Sequence, residues 1–301
     1  MNFKYYRIYG LNIKSQIEFP ELLGIEELED DKVDVNISIG QIDEEIKNTI
    51  PKYSWFKYEK DRMVFKVESV GCFYIHSGKS IIVEPYEGIE NQLIKTYTLG
   101  TSFGMILNQR DIIAIHGGTI LVNGEAIILT GQSGAGKSTL TNAFRHYGYK
   151  FMADDVSATS VSEEACLVEP AYPQQKICRD AMEKMGYNIK DFKLIDEGRE
   201  KYVIPTHKTF VKEKKNLKAI FEIEPYEGES VEVHEVFGQD KMKTILRNIY
   251  RIEIIALHGM PPKYFKKAVN LAKQIRIFKI KRPKDTFSVD MQIDLINKAM
   301  C

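Results

Sequence analysis

Residues 126–139 read AIILTGQSGAGKST, an apolar run followed by a glycine-rich loop. The loop matches the phosphate-binding pattern G-x-x-x-x-G-K-[ST], and its residues are Gly131, Gln132, Ser133, Gly134, Ala135, Gly136, Lys137, Ser138 and Thr139. Glycines permit a tight turn whose N–H groups, with the start of the next helix, hold phosphate oxygens. The pattern predicts an ATP and Mg²⁺ site, with Lys137 at the phosphates and Ser138 on the metal, and leaves ATP against GTP open.

The strand that leads into the loop is preceded by another apolar run. Residues 119–122 and 126–130 flank Asn123-Gly124, and Asn-Gly between apolar runs is the strongest short-range signal for a type I′ hairpin. We therefore expect antiparallel pairing before the loop. Ordinary phosphate-loop NTPases differ, because helical crossovers join their parallel strands.

An aspartate pair follows the loop. Residues 137–146 predict a helix and residues 150–153 a strand that ends in Asp154-Asp155. Ten helical residues advance about 15 Å, and roughly five extended residues return about 16 Å. Both aspartates should therefore lie level with the loop, where either can join Ser138 on Mg²⁺ and either can accept a proton. The sequence does not divide these two roles.

The remaining chain predicts a mixed α/β fold in two parts. Residues 1–88 form a smaller β-rich N-terminal domain, residues 89–110 a connecting helix, and residues 111–301 the domain with the phosphate loop. In the first domain, period-2 patterning predicts strands at 3–9, 33–39, 63–67, 72–76 and 81–83. In the second domain we expect strands at 112–115, 219–223, 230–236 and 276–280, and helices at 174–185, 240–249, 262–274 and after Ser288.

Composition narrows the function classes. The chain has 42 basic and 42 acidic residues, so no global field favours nucleic acid or an anionic membrane. No apolar stretch approaches the ~18 residues of a membrane span, and the N-terminus lacks signal-peptide features. Cys72, Cys166, Cys178 and Cys301 show no metal-ligand spacing. A soluble, cytoplasmic protein is expected.

The stretch IHGGTILVNGEAIILTGQSGAGKSTLTNAFRHYGYKFMADDVSA, residues 115–158, resembles the catalytic core of the HPr kinase/phosphorylase family. These serine kinases are related in fold to phosphoenolpyruvate carboxykinase. The resemblance implies an α/β core of that type and the family's active-site histidine, phosphate lysine and proton-transferring aspartate at His116, Lys137 and Asp155. It also implies a possible homo-oligomer. Phosphoryl transfer independently needs charge neutralisation on the γ-phosphate and a group that takes the acceptor proton.

One residue and one segment depart from that family. Thr139 stands where the family has an acidic residue, and residues 168–186, VEPAYPQQKICRDAMEKMG, replace its Leu-Glu-Ile-Arg-Gly signature. Asp180 is a candidate substitute for the signature's metal-binding glutamate. These departures leave open whether the protein also catalyses the reverse, phosphorolytic reaction.

Three other segments are similar to HPr kinase-related proteins of lasso peptide gene clusters: residues 6–22, 93–117 and 275–283. This similarity implies an ATP-dependent kinase whose partner is a precursor peptide or small protein, with a C-terminal serine as acceptor in lasso systems. Two alternatives stay open: phosphorylation of an HPr-like protein or a small-molecule hydroxyl, and a non-catalytic nucleotide-binding switch. A guanine switch is disfavoured, because the chain has no Asn-Lys-x-Asp motif.

Two basic features could contact a peptide. The lysine-rich run HKTFVKEKKNLK, residues 207–218, could guide an acidic peptide or a terminal carboxylate. Arg247 and Arg251 lie four residues apart on a predicted helix and would share one face. Both features also suit an ordinary solvated surface.

Overall fold

The computed structural model describes residues 3–196 and 200–301. The strands, in chain order, are β1 (Lys4–Ile8), β2 (Leu11–Ser15), β3 (Leu23–Gly24), β4 (Val35–Ile39), β5 (Phe56–Glu59), β6 (Arg62–Val67), β7 (Gly71–His76), β8 (Ser80–Pro85), β9 (Ile113–Val122), β10 (Glu125–Gly131), β11 (Phe151–Ala153), β12 (Val156–Val161), β13 (Cys166–Val168), β14 (Gln174–Cys178), β15 (Lys193–Asp196), β16 (Lys201–Pro205), β17 (Lys215–Tyr226), β18 (Glu232–Glu235) and β19 (Arg276–Pro283). The α-helices are α1 (Glu44–Lys47), α2 (Asn91–Tyr97), α3 (Phe103–Gln109), α4 (Lys137–His146), α5 (Arg179–Lys184), α6 (Gln239–Arg247), α7 (Ile252–Ile255), α8 (Pro262–Gln274) and α9 (Val289–Met300). The fold is mixed α/β, as the sequence predicts.

Contacts divide the chain into two compact units. The first runs through Ile112 and also takes in Arg251–Tyr264, and the second comprises Ile113–Tyr250 and Phe265–Cys301. Residues 89–110, which the sequence assigns to a connector, thus belong with the first unit. A short segment from the C-terminal half belongs there too. No local sequence pattern marks that segment, because it joins the unit through long-range contacts.

The first unit is built on one mixed sheet. Its strand order is β3-β1-β2-β4-β8-β7-β6-β5, with β2 and β8 parallel to β4 and antiparallel pairing from β8 to β5. The predicted helix at 89–110 is α2 and α3, joined without a break by a π turn at Thr98–Ser102. Phe103, Met105 and Ile106 are buried, so this helix completes the unit's apolar core.

The second unit is organised around another eight-stranded sheet, of order β10-β9-β12-β13-β17-β19-β18, in which β11 also pairs with β9. β10 also pairs in parallel with β17, and β17 with β19. Helices α4 and α9 cover this sheet. The core between these helices and the sheet consists of buried apolar side chains that include Ile120, Ile127, Leu129, Leu140, Phe144, Phe221, Phe278, Ile293 and Ile296.

A separate three-stranded sheet, β14-β16-β15, belongs to the second unit. The predicted helix at 174–185 is wrong in its first half: residues 174–178 form β14, and the helix α5 covers only Arg179–Lys184. Antiparallel pairing with β16 decides this, because Gln175 lies opposite Ile204 and Ile177 opposite Tyr202. None of the helices in the two described ranges is long and apolar enough to cross a membrane.

Candidate active site

The hairpin before the phosphate loop forms as predicted. β9 and β10 pair antiparallel with Val122 opposite Glu125 and Gly117 opposite Thr130. Asn123 and Gly124 have φ angles of 52° and 81°, both in the left-handed region that a type I′ turn requires. Since the strands run in opposite directions, the turn brings His116 and Gly117 to the end of β10 where the loop begins.

The loop wraps around the ammonium group of Lys137. Gly136 has a φ of 100°, a left-handed conformation that favours glycine, and α4 begins at the next residue. The Nζ atom of Lys137 donates to the carbonyl oxygens of Gly131 at 2.8 Å and Gln132 at 3.0 Å. Burial lowers the pKa of Lys137, while the charge of Asp155 acts in the opposite direction. The lysine is thus half-buried at the loop, within electrostatic reach of Asp155.

The position of Asp154 and Asp155 is set by a gap between two strands that pair with β9. β11 and β12 both pair antiparallel with β9, β11 at Thr119 and Ile120 and β12 at residues 113–116. Asp154 and Asp155 lie between them, opposite Gly117 and Gly118. The N–H of Gly117 donates to the carbonyl oxygen of Asp155 at 3.0 Å. The aspartates therefore return to the level of the loop, as the helix and strand lengths predict.

Gly118 allows this close approach. A Cβ atom there would lie 2.6 Å from the Thr141 hydroxyl oxygen and 2.9 Å from the carbonyl oxygen of Asp154. Both distances are shorter than real Cβ contacts, and the second involves backbone that cannot move alone. Glycine at this position lets β9 pass between α4 and the aspartate pair. The His-Gly-Gly sequence thus has a packing reason.

His116 and Asp155 form a pair. The Nε2 atom of His116 lies 3.2 Å from Oδ1 of Asp155, and the two side chains are 38% and 52% exposed. Burial raises the pKa of Asp155, but the hydrogen bond and charge of His116, with the charges of Lys176 and Lys201, outweigh it and hold that pKa well below its usual range. Asp155 is therefore ionised at neutral pH and open to an acceptor.

Asp154 has a different environment. Its Oδ2 atom accepts a hydrogen bond from the backbone N–H of Lys176 at 2.9 Å. Its Oδ1 atom is buried and has no hydrogen-bond partner among the described residues. Burial and the charge of Asp155 raise the pKa of Asp154 to about 6, although the hydrogen bond and charge of Lys176 and the nearby amide of Gln175 act against this. The two neighbouring carboxylates are thus chemically distinct.

The donor set near the loop suits Mg²⁺. The hydroxyl of Ser138, at the start of α4, and the carboxylates of Asp154 and Asp155 are hard oxygen ligands, and the buried Oδ1 of Asp154 lacks another partner. Within residues 3–196 and 200–301, no group of three or more His, Cys, Asp and Glu side chains could hold a metal. Mg²⁺ commonly uses one or two carboxylates together with substrate phosphates. The residues present therefore fit such an ion.

A buried polar network lies beneath His116, and the sequence did not predict it. The backbone N–H of His116 donates a hydrogen bond to the backbone carbonyl oxygen of Asn248 at 2.8 Å. The hydroxyl of Thr130 lies 2.7 Å from the carbonyl oxygen of His116 and 3.0 Å from Oδ1 of Asn248. The Nδ2 atom of Asn248 donates to Glu222 at 2.8 Å, and Glu222 is 7% exposed. This network fixes the backbone of His116 to the strand that leads into the loop.

Arg247 belongs to that network. The prediction that Arg247 and Arg251 share one face of a helix is wrong. The guanidinium of Arg247 contacts both carboxylate oxygens of Glu222. Helix α6 ends at Arg247, whereas Arg251 has a φ of 58°, precedes α7 and donates to Thr101 in the first unit at 2.8 Å. The turn between the two helices separates the arginines.

Arg282, on β19, is another residue that the sequence analysis missed. Its Nε atom donates to the carbonyl oxygen of Ala135 at 2.8 Å, and Nη2 lies 3.4 Å from that of Gly134. Burial lowers its pKa. Arg282 thus holds two peptide units of the phosphate loop. The segment 275–283 carried a sequence similarity, but no motif marked this arginine.

The other predicted features lie elsewhere. Asp180 is exposed in the first turn of α5, and the residue of segment 168–186 that bonds the aspartate pair is Lys176. The lysine-rich run 207–218 covers an exposed loop and the beginning of β17. Its role as a peptide guide stays a prediction.

No protein-family profile matches this chain, and no curated protein matches it. Among solved structures, the chain is similar to the HPr(Ser) kinase/phosphatase from Coxiella burnetii, at 12% sequence identity and a TM-score of 0.33. That similarity covers 62% of this chain and 95% of the other. At this level it supports no statement about activity, and the roles of the residues rest on their own geometry.

Proposed function

We propose that this protein is a kinase that transfers the γ-phosphate of ATP to a serine hydroxyl of a peptide or small protein. The observation that carries the proposal is the His116–Asp155 pair, whose side chains are 3.2 Å apart and partly exposed. This pair lies beside the phosphate loop, and the charge of Asp155 acts on the pKa of Lys137 in that loop. A nucleotide-binding module needs the loop alone. A half-exposed carboxylate paired with an imidazole beside the loop suits transfer to a hydroxyl.

In the proposed reaction, Asp155 orients the acceptor hydroxyl. The acceptor oxygen bonds to the γ-phosphorus, the bond from that phosphorus to the bridging oxygen breaks, and ADP leaves. The acceptor proton passes to Asp155. Because the transition state of phosphoryl transfer is loose, the proton is lost late and a carboxylate of low pKa suffices. His116 is hydrogen-bonded to the carboxylate of Asp155 and can share the proton that Asp155 receives from the acceptor.

Lys137 and the loop N–H groups neutralise charge on the phosphates in this reaction. Mg²⁺, held by Ser138 and Asp154, would supply further charge neutralisation. We assign the acceptor side to Asp155 because Asp154 is more buried and one of its oxygens is already bonded to the N–H of Lys176. Asp154 then serves the metal side.

The test is incubation of purified protein with ATP, Mg²⁺ and serine-containing peptides. We expect a mass increase of one phosphate on a serine with the wild type and none with Lys137→Ala. Equal trace product from both would exclude the proposal. Nucleotide binding without any phosphorylated product would favour the non-catalytic switch, and phosphorylation of free serine but not of peptides would favour a small-molecule kinase.

For the acceptor itself, we propose a ribosomal precursor peptide of lasso type with a C-terminal serine. The support is the similarity of segments 6–22, 93–117 and 275–283 to kinases of such clusters. A precursor peptide that ends in serine should be phosphorylated, and the same peptide ending in alanine should not. An HPr-like protein in parallel assays tests the alternative acceptor, and preferential phosphorylation of that protein would overturn this choice.

A further inference from the structure

The three-stranded sheet of β14, β16 and β15 has one buried face. Side chains alternate between the two faces of a sheet. Gln175, Ile177 and Ile204 are buried on one face, where Gln175 accepts a hydrogen bond from Asn142 of α4 at 2.9 Å and the two isoleucines pack in an apolar cluster with α5. This face anchors the sheet to the second unit.

The opposite face of this sheet carries lysines. Lys176 and Lys193 both lie opposite Val203, and Lys201 lies opposite Cys178. These registers put the three lysines on one side, which we call the lysine face. Among the residues whose side chains the structure describes, none has a hydrogen bond or ion pair with the ammonium group of Lys176 or Lys193. Asp196 lies opposite Lys201 in the strand register. The neighbouring Glu200 does not neutralise them, since its carboxylate is bonded to Arg179 at 2.8 Å.

One end of the lysine face adjoins the candidate site. The backbone N–H of Lys176 bonds Asp154 at 2.9 Å, which fixes β14 against the aspartate pair. The charges of Lys176 and Lys201 act on Asp155, and that of Lys201 also acts on Lys137. Lys193 lies two strands further out, about 10 Å from Lys176 given the usual strand spacing. The positive charge therefore extends from the reacting groups outward.

We propose that the lysine face binds acidic side chains of the acceptor peptide close to the serine that is phosphorylated. This inference rests on the proposed kinase function. Charge complementarity selects an anionic segment, because three ammonium groups share one face and those of Lys176 and Lys193 have no partner among the described side chains. An extended peptide advances about 3.3 Å per residue. Carboxylates within about three residues of the serine would therefore span the roughly 10 Å from Lys176 to Lys193.

The experiment compares two peptides that end in serine and differ only in having Glu or Gln at the three positions before that serine. For the wild type we expect kcat/KM to be about tenfold higher for the Glu peptide, mainly through KM, since each half-exposed ion pair contributes modestly. Lys193→Glu should lower this preference at least threefold and shift it toward a matched Lys peptide. Lys273→Glu, the same charge reversal at an exposed position on α8, should keep the wild-type preference.

A binding measurement tests the lysine face independently of the proposed kinase function. With a non-hydrolysable ATP analogue, fluorescence anisotropy should show tighter binding of the Glu peptide, and Lys193→Glu should lower this difference at least threefold. If wild type binds and phosphorylates both peptides equally, or if Lys193→Glu keeps the wild-type preference, the lysine face is an ordinary solvated surface. If no peptide is phosphorylated but the Glu peptide still binds through Lys193, the kinase function fails and the docking surface stands.

Discussion

Asp155 is open to an acceptor and paired with His116, so its role can be tested by removing its charge alone. We expect Asp155→Asn to lower the rate of phosphoryl transfer about 10²- to 10⁴-fold, the usual contribution of a positioned proton acceptor. Nucleotide affinity should stay within a few-fold of wild type, because Lys137 and the loop amides remain.

Single-turnover transfer and nucleotide titration measure these two effects. The matched control is Asp180→Asn, an exposed aspartate on α5, which should leave both quantities unchanged. Wild-type turnover by Asp155→Asn would remove this residue from the proton-transfer step.

Asp154 should make the metal-free protein less stable as the pH rises. Its pKa is raised from 3.8 to about 6 in the folded protein. A carboxyl with a raised pKa stabilises the folded state when protonated, so its contribution is fully present below pH 3.8 and is lost as the pH passes about 6. The full loss amounts to roughly 3 kcal/mol in the free energy of unfolding, of which about 2 kcal/mol falls between pH 4.5 and 7.5.

Urea unfolding in EDTA, followed by circular dichroism at pH 4.5 and 7.5, tests this. Relative to wild type, Asp154→Asn should gain stability between the two pH values, whereas Asp180→Asn should not. A difference between wild type and Asp154→Asn that does not change with pH would contradict the raised pKa.

At the scale of elements, β17 carries two glutamates with opposite surroundings. Glu222 is 7% exposed and bonded to Arg247 and Asn248, while Glu224 is exposed and pairs with Lys279 at 2.7 Å. Glu222→Ala leaves buried polar groups without a partner and should lower the free energy of unfolding by about 3 kcal/mol. Glu224→Ala should cost less than about 1 kcal/mol.

Because Glu222 supports Asn248 beneath His116, its removal should also lower kcat more than it changes the KM for ATP. Denaturant unfolding and steady-state kinetics of the two variants measure both effects. Equal stability losses for Glu222→Ala and Glu224→Ala would show that the buried network does not stabilise this strand.

Local patterns predicted some elements well and failed at others for a clear reason. The hairpin of β9 and β10 follows from Asn123-Gly124, because these two residue types favour the left-handed φ angles that the turn requires. β14 was predicted as a helix because its pairing with β16 is not visible in its own sequence. The predicted separate strands at 112–115 and 119–122 are one strand, β9, since Gly117 and Gly118 continue the pairing through the site.

At the scale of the whole molecule, the segment Arg251–Tyr264 contributes to the first unit. Tyr264 is 1% exposed, while the next residue, Phe265, is 46% exposed and belongs to the second unit. Tyr264→Ala should lower the free energy of unfolding of the first unit by about 3–4 kcal/mol, as for other large buried aromatic residues. Phe265→Ala should have little effect.

Hydrogen exchange resolves which unit responds. In Tyr264→Ala, amide protection should fall in β1, β2 and β4 to β8 and persist in β9 and β10. Loss of protection spread evenly over both units, or none in either, would contradict the assignment of this segment to the first unit.

The sequence by itself determined the phosphate loop, the hairpin that feeds it and the spacing that returns Asp154 and Asp155 to it, because these depend on turn chemistry and element lengths within about 40 residues. Only the tertiary structure decided that Lys176 bonds Asp154 across 22 residues, that Thr130 meets Asn248 across 118 and that Arg282 holds Ala135 across 147. Such contacts depend on how distant strands and helices pair and pack. No local pattern encodes them, and they are what distinguishes the two carboxylates and surrounds the loop with its supporting charges.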